Sequence, residues 1–427
     1  MFEFAEKEST PIKTLFRLAA SGARKVELKD ISVDWSTVAP LAEELRVSSL
    51  VSCALLHSPE LDCPENLREY YLNAMRHRSA VNLVKRQRIL SLIGEMQKKG
   101  YSVKILKGYA VSAYYAYPEC RDSADTDLLV EKNQERAVYQ LLKEKGFEII
   151  PRSYTSHQGV CQHPRYGVVE IHAYLYDEIV KNVWFRGMTE RDFIIEKPVE
   201  MSVDGYVIRT LGYTDQLVFL TLHMIKHFIS SGMTIQMILD VALFFQANAC
   251  RIDSERFWSE MGILNYTTLV NSVFWLAIRY GGFQQSDFPG VDKQAPDQVE
   301  LLLEDLVRGG YMGSKFTQEY HDSSMEYNRR ILLQHGTYMQ YVRYMIGWKL
   351  RSAWGHMFPN REKLEETYPV IRKYPVLYPA AVIYQSVLYP VRKIRTGILA
   401  RQIRGESTEL SAGARRRVKL LEDLNMI

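Results

Sequence analysis

The spacing of apolar residues changes twice along this chain, and the stretch between the two changes has the pattern of a small sheet. From about residue 35 to 98 apolar positions recur every three or four residues, through Val38, Leu41 and Leu45, then Val81 and Val84, then Ile89, Leu92, Ile93 and Met96, which is the period of a helix face. Lys98, Lys99 and Gly100 close that run. Between residues 101 and 211 the pattern becomes short apolar runs, VKIL, DTDLLV and GVVEIHAYL, followed by VEMSV and YVIRTL joined at Asp204-Gly205, which predicts strands and one tight hairpin. One helical stretch, Asn133 to Lys145, lies among them and ends at Gly146. After Thr214, the expected cap of the next helix, Leu217, Leu220 and Leu222 open a helical segment reaching about residue 350.

A chain of 427 residues exceeds what one core normally supports, since single cores stop growing near roughly 250 to 300 residues. The expected organisation is an N-terminal helical region at 1–98, a catalytic core at 99–212, a helical domain at 213–350 and a Pro/Tyr-rich, basic C-terminal region at 351–427. Prolines at 369, 375, 379 and 390 interrupt the last region. Within it YPVLYPAAVIYQSVLYPV carries no charge, but its internal prolines with Gln385 and Ser386 argue for an interfacial segment over a membrane span. Basic residues cluster late, at Arg392, Lys393, Arg395, Arg401, Arg404, Arg415, Arg416, Arg417 and Lys419. They fit either a solvated tail or, with residues 374–427 as a whole, peripheral contact with an anionic membrane.

The net charge of +4 is too slight to point to nucleic acid as the partner of the whole molecule. Five scattered cysteines without a C-x-x-C pair indicate neither a disulfide framework nor a structural zinc site, which fits a reducing cytoplasm. The acidic N-terminal stretch does not resemble a secretory signal.

The chemistry concentrates in ILKGYAVSAYYAYPECRDSADTDLLV, residues 105 to 130. Alternation along a strand projects Asp125 and Asp127 from one face, about 6 to 7 Å apart along the backbone, while Thr126 and Leu128 point away. Two neighbouring carboxylates repel unless a cation neutralises them, so the pair favours a hard, oxygen-seeking metal. In GVVEIHAYL the same alternation places Glu170 with His172 opposite Val169 and Ile171. Three carboxylates, Asp125, Asp127 and Glu170, could then clamp two metal ions for in-line phosphoryl chemistry.

In that order the elements L-K-G (Leu106, Lys107, Gly108), R-x-x-x-D-x-D (Arg121, Asp125, Asp127) and E-x-H (Glu170, His172) resemble the uncharacterised nucleotidyltransferase family of the DNA polymerase beta nucleotidyltransferase superfamily. The resemblance extends upstream through the helices before Gly100 and downstream through LVFLTLHMIKHF, Asp240 and MFPNREKLEETYP. It implies an α+β fold, with a small mixed β-sheet nucleotidyltransferase core flanked by N-terminal helices and a helical C-terminal domain. It also implies that Lys107, Gly108 and Arg121 meet phosphate, although many relatives have Gly-Ser or Gly-Gly where this chain has Lys107-Gly108. For Arg121 a structural salt bridge is an equal alternative.

His223, Lys226 and His227 share a helix face, from which Lys226 would reach a triphosphate. The two histidines have zinc-ligand spacing, but Met224 stands where H-E-x-x-H needs Glu, so they are expected to be hydrogen-bonded at a domain junction with Asp240 as one partner. The expected activity is transfer of a nucleoside monophosphate from ATP or another nucleoside triphosphate, with Mg2+ or Mn2+, to a hydroxyl of a small molecule, glycan, peptide or protein. The alternative is a catalytically inactive member of this fold serving as a binding or adaptor protein. RNA as acceptor lacks an aromatic-basic motif.

Overall fold

The structure, a computed structural model, describes residues 6–29, 31–123, 125–150, 158–176, 184–186, 188, 190–335, 358, 364, 368, 370–395 and 410–427. Most of MFPNREKLEETYP and residues 336–350 therefore lie outside the described residues. The chain divides into two compact units, residues 1–324 with 416–427, and residues 325–415.

The first unit opens with helices α1 (Glu6–Arg24), α2 (Trp35–Glu44), α3 (Ser48–His57) and α4 (Glu65–Lys98). α1 packs on α3 so closely that a Cβ on Gly22 would lie 1.9 Å from the Leu50 carbonyl oxygen. β1 (Val103–Ile105), the short α5 (Tyr109–Ser112), β2 (Asp125–Val130), α6 (Glu135–Glu144), β3 (Glu148–Ile150), β4 (Gln158–His163) and β5 (Gly167–His172) then build a mixed sheet. Its order is β1-β2-β5-β4-β3, with β2 and β5 parallel and the other pairs antiparallel. A helical turn, α7 (Glu190–Phe193), precedes the hairpin β6 (Val199–Val203) and β7 (Tyr206–Thr210), which turns at Asp204-Gly205 as the sequence predicts.

One face of the sheet forms the core. Leu128, Val130, Val169, Ile171 and Cys161 pack there against Ile89, Leu92, Ile93 and Met96 of α4, Val138, Leu141 and Leu142 of α6, and Val203 and Ile208 of the hairpin. Truncating a fully buried side chain such as Ile93 or Leu128 to Ala should cost about 2–5 kcal/mol. α4 departs from expectation upstream of this core: Val81 and Val84 are about half exposed, whereas Arg86 of the same helix is buried. Its polar side chains, not its valines, face the protein there: Arg86 pairs with Asp204 of the hairpin turn at 2.7 Å, and Arg78, Asn82 and Lys85 hold the loop before β2.

Helices α8 (Tyr213–Ser230), α9 (Ile235–Asn248), α10 (Ser254–Ile263), α11 (Thr267–Gly281), α12 (Gln298–Gly309) and α13 (Thr317–His335) follow. Phe245, Phe257, Phe274 and Phe288 pack ring to ring inside the α9–α11 group. α8 is capped differently from the expectation. Gly212, not Thr214, is its N-cap residue, and the Thr214 N–H donates to the Glu196 carboxylate at 3.0 Å. An upstream acid thus satisfies a first-turn donor.

Besides the end of α13 and the start of the helix Ala412–Asp423, the described α-helices of the second unit are Val370–Lys373 and Tyr378–Arg395. The latter runs through Pro379 in its first turn, where a missing N–H is tolerated, and through Pro390. The helix Ala412–Asp423 returns the chain to the first unit. No helix among the described residues is long and apolar enough to cross a membrane.

Candidate active site

The sheet face opposite the core carries the carboxylates. In the parallel β2–β5 ladder Asp127 stands directly opposite Glu170, Asp125 opposite Val168, and Leu129 opposite His172. Asp125, Asp127, Glu170 and His172 therefore share one face, as period-2 geometry requires. One ligand atom each from Asp127, Glu170 and His172 lie within 4.8 Å of one another. Asp125 sits two residues earlier on the same face and lines a neighbouring cleft; His172 takes the place in this closest cluster that the sequence had assigned to Asp125.

Lys107 reaches the same spot from β1. The Leu106 N–H donates to the Asp127 carbonyl at 3.1 Å, so the chain leaves β1 beside Asp127. The Lys107 Nζ then lies 3.0 Å from Asp127 Oδ1, the oxygen that also receives His172 Nε2 at 3.0 Å. His172 Nε2 is 3.6 Å from Glu170 Oε2. An ammonium has only donors, so Lys107 also donates to His223 Nε2 of α8 at 3.3 Å. Gln216 of α8 donates to the Leu106 carbonyl at 2.6 Å, which fastens this turn to the helical half. Gly108 follows with φ +61°, in the left-handed region that favours glycine.

Electrostatics follow from burial and neighbours. Burial pushes the Asp127 carboxyl up, but Lys107 and His172 outweigh it and hold it well below the usual carboxylate range. Burial and the charge of Asp127 raise Asp125. Burial works against the proton on His172, yet its bonds to Asp127 and Glu170 leave its pKa raised. Burial also opposes the charge on Lys107, which Asp127 and Asp125 hold above its ordinary value. His223 is driven well below its ordinary value by burial and by Lys107, and His227 falls to about 3 through burial and Lys226.

Beside the carboxylates lies a cleft of about 630 Å³, lined by Lys107, Gly108, Ser123 and Asp125 from the core, Arg46 and Arg78 from the N-terminal region, and His223, His227 and Gln236 from α8 and α9. Its wall is held by α4. Arg78 pairs with Asp122 at 3.3 Å, Asn82 donates to the Glu119 carbonyl at 2.9 Å, and Lys85 donates to the Ser123 carbonyl at 3.3 Å. These residues were missed in the sequence; their spacing of three and four residues along one helix was the available signal.

Two expected roles change. Arg121 borders the cleft but commits Nε and Nη2 to Asp240, at 2.7 and 2.6 Å, in a buried fork-to-fork pair. Of its two candidate roles the structure shows the ion pair, because a planar guanidinium fits a carboxylate as well as a phosphate. Asp240 accordingly serves Arg121 and the Tyr115 hydroxyl and is not the partner expected for the histidines; His227 instead meets Ser231 and His223 meets Lys107. Lys226 lies half-buried on α8 and is not among the residues lining the cleft.

The donor set suits a divalent cation. Asp127 Oδ2 is buried without a hydrogen-bond partner among the described residues, and two carboxylates with one imidazole form an oxygen-rich set that accepts Mg2+ or Mn2+.

A mixed sheet with acids on its two central parallel strands, wrapped by helices that complete a cleft, defines a nucleotidyltransferase-type core. The family described as "Uncharacterised nucleotidyltransferase" matches residues 32–282, and the chain belongs to that family. No curated protein matches the chain. Among solved structures it is similar to an antigenic nucleotidyltransferase-like protein from Paracoccidioides brasiliensis, at 15% identity and a TM-score of 0.27 over 38% of this chain and 76% of that one. At that score the likeness carries no weight, and the assignment rests on the family match.

Proposed function

We propose that the protein transfers a nucleoside monophosphate from a nucleoside triphosphate, ATP being the first candidate, to an acceptor hydroxyl with release of pyrophosphate. The observation that carries this reading is the register that sets Asp127 opposite Glu170 on the sheet face from which Asp125, two residues earlier, lines the cleft. A divalent cation bound there supplies charge neutralisation at the α-phosphate and lowers the pKa of the attacking hydroxyl. Asp127 and Glu170 would hold it, with His172 as the third ligand, and Asp125 is the one of the three expected carboxylates that lines the cleft. Glu170, less buried than Asp127, would also accept the hydroxyl proton. Lys107 offers a compact positive charge to phosphate oxygens, and Gly108 lets the backbone approach them.

The test is label transfer from α-labelled triphosphates, with Mg2+ or Mn2+, onto small molecules, glycans, peptides and proteins of a cell extract. Asp127→Asn is expected to lower labelling by about 10²–10³-fold, the scale for removing one preorganised electrostatic group. Equal labelling by this variant sinks the assignment. One observation favours a second reading, an inactive binding or adaptor protein. Asp127 is already neutralised by Lys107 and His172, an arrangement that could persist as a purely structural ion cluster. Nucleotide binding with magnesium but no labelled acceptor would support it.

A further inference from the structure

We infer that Lys107 is the resident counter-ion of Asp127 and gives way to a divalent cation when a nucleotide enters, so that metal and triphosphate are taken up together. The inference rests on the nucleotidyl-transfer reading above and deepens it.

Three observations carry it. Lys107 Nζ contacts Asp127 Oδ1 at 3.0 Å, so an ammonium already holds one oxygen of the carboxylate that a metal would need. The other oxygen, Oδ2, is buried without a hydrogen-bond partner among the described residues, so Asp127 is served on one side only. Lys107 also has a way out: it borders the cleft beside Gly108, and His223 Nε2 already offers a second contact at 3.3 Å.

A divalent ion bound to Asp127 would lie a few ångströms from this ammonium, and like charges that close repel strongly in a partly buried site. Metal binding therefore has to move Lys107 off Asp127. Polyphosphate oxygens in the cleft give the ammonium a better partner than the imidazole of His223. The two ligands then help each other, and such coupling is reciprocal for binding free energies.

The experiment titrates Mn2+ into the full-length protein without nucleotide, following free Mn2+ by electron paramagnetic resonance. Lys107→Met is expected to bind Mn2+ at least about tenfold more tightly than the parent, the scale of removing one adjacent charge. Lys107→Arg, which keeps the charge, should bind as weakly as the parent. Equal or weaker binding by Lys107→Met overturns the inference, and so does the absence of Mn2+ binding by both proteins. Should Lys107→Met fail to fold, the parent protein answers by acetylation footprinting. Saturating Mn2+ should increase modification of Lys107, and an unchanged footprint overturns the inference. Acceptor labelling separates the two readings. Label transfer without the Mn2+ gain keeps the reaction and removes the Lys107 exchange; the gain without any labelling does the reverse.

Discussion

Arg121 and Asp240 join the loop before β2 to α9, and the shape of the cleft depends on that link. Both are buried, and Tyr115 adds a third hydrogen bond to the same carboxylate at 2.6 Å. Removing one member of such a pair leaves an uncompensated charge, which costs about 3–5 kcal/mol, whereas replacing both members by apolar side chains is often close to neutral. Asp240→Leu is therefore expected to lower the unfolding free energy in urea by that amount, and Arg121→Met with Asp240→Leu to recover most of it. A double variant as unstable as the single one would mean that the loss comes from packing around α9. At Gly108 the φ of +61° predicts that Gly108→Ala costs about 1–3 kcal/mol in the same assay, through backbone strain and not lost contacts. The acids on β2 and β5 were legible in the sequence because strand alternation is a local rule that uses only neighbours. The partner of Arg121 was not, since it lies 119 residues away and a guanidinium fork fits phosphate and carboxylate equally.

Elements show the same division between local and distant rules. The hairpin at Asp204-Gly205 and α6 follow from turn chemistry and apolar spacing, whereas the inward face of α4 near Arg78 follows from what it must hold. The helix Ala412–Asp423 is a sharper case. Its basic run reads as a solvated or anion-binding tail, yet Arg417 is buried, paired with Asp305 through Nη1 at 2.6 Å, bonded to the Phe228 carbonyl, and stacked 3.7 Å from the ring centre of Tyr320. Arg415 stays exposed, so one basic run divides between surface and core by helical period alone. Arg417→Ala should destabilise by about 3–5 kcal/mol, the scale for an orphaned buried charge, while Arg415→Ala should stay within about 0.5 kcal/mol. Chemical denaturation of both variants checks the contrast. On α8, His227 titrates in the fold at about 3 against an ordinary value of 6.5. Its neutral form is the one the fold prefers. As pH falls below about 6.5 the unfolded chain gains a proton that the folded chain refuses, so stability is full above that pH and declines between 6.5 and 3. His227→Asn should reduce the loss of melting temperature between pH 7 and pH 5; an unchanged slope would place the titration on another group.

At the scale of the whole molecule, the chain leaves the first unit after Ser324 and rejoins it at Arg416. A contiguous C-terminal region at 351–427 was the natural reading of a basic, proline-rich composition, because composition carries no information about where a chain returns to a core. This connectivity matters for the expected membrane contact of residues 374–427. Deleting that whole segment would remove Arg417 along with the tyrosine-rich helix, and a loss of binding could then reflect unfolding. The sharper test stays within Tyr378–Arg395. Ile383, Tyr384 and Val387 are exposed at helical spacing and form an apolar stripe, with Ile383 at 65% and Val387 at 60% exposure, and Val376 and Leu377 are exposed in the turn before the helix. Arg372 and Lys373 precede the stripe in sequence, and Arg392, Lys393 and Arg395 follow it. An apolar stripe bracketed by cations is the composition that seats a helix at an anionic bilayer surface, where each basic residue near the surface contributes about 1 kcal/mol. The protein is expected to co-sediment with phosphatidylserine-containing vesicles, less so at high salt because charge attraction is screened. Substituting Ile383, Tyr384 and Val387 together by Ser should abolish that sedimentation while leaving the melting temperature unchanged, since these side chains face outward. Retention of vesicle binding by the triple variant, or its absence in the parent, would assign the stripe to a role other than membrane contact.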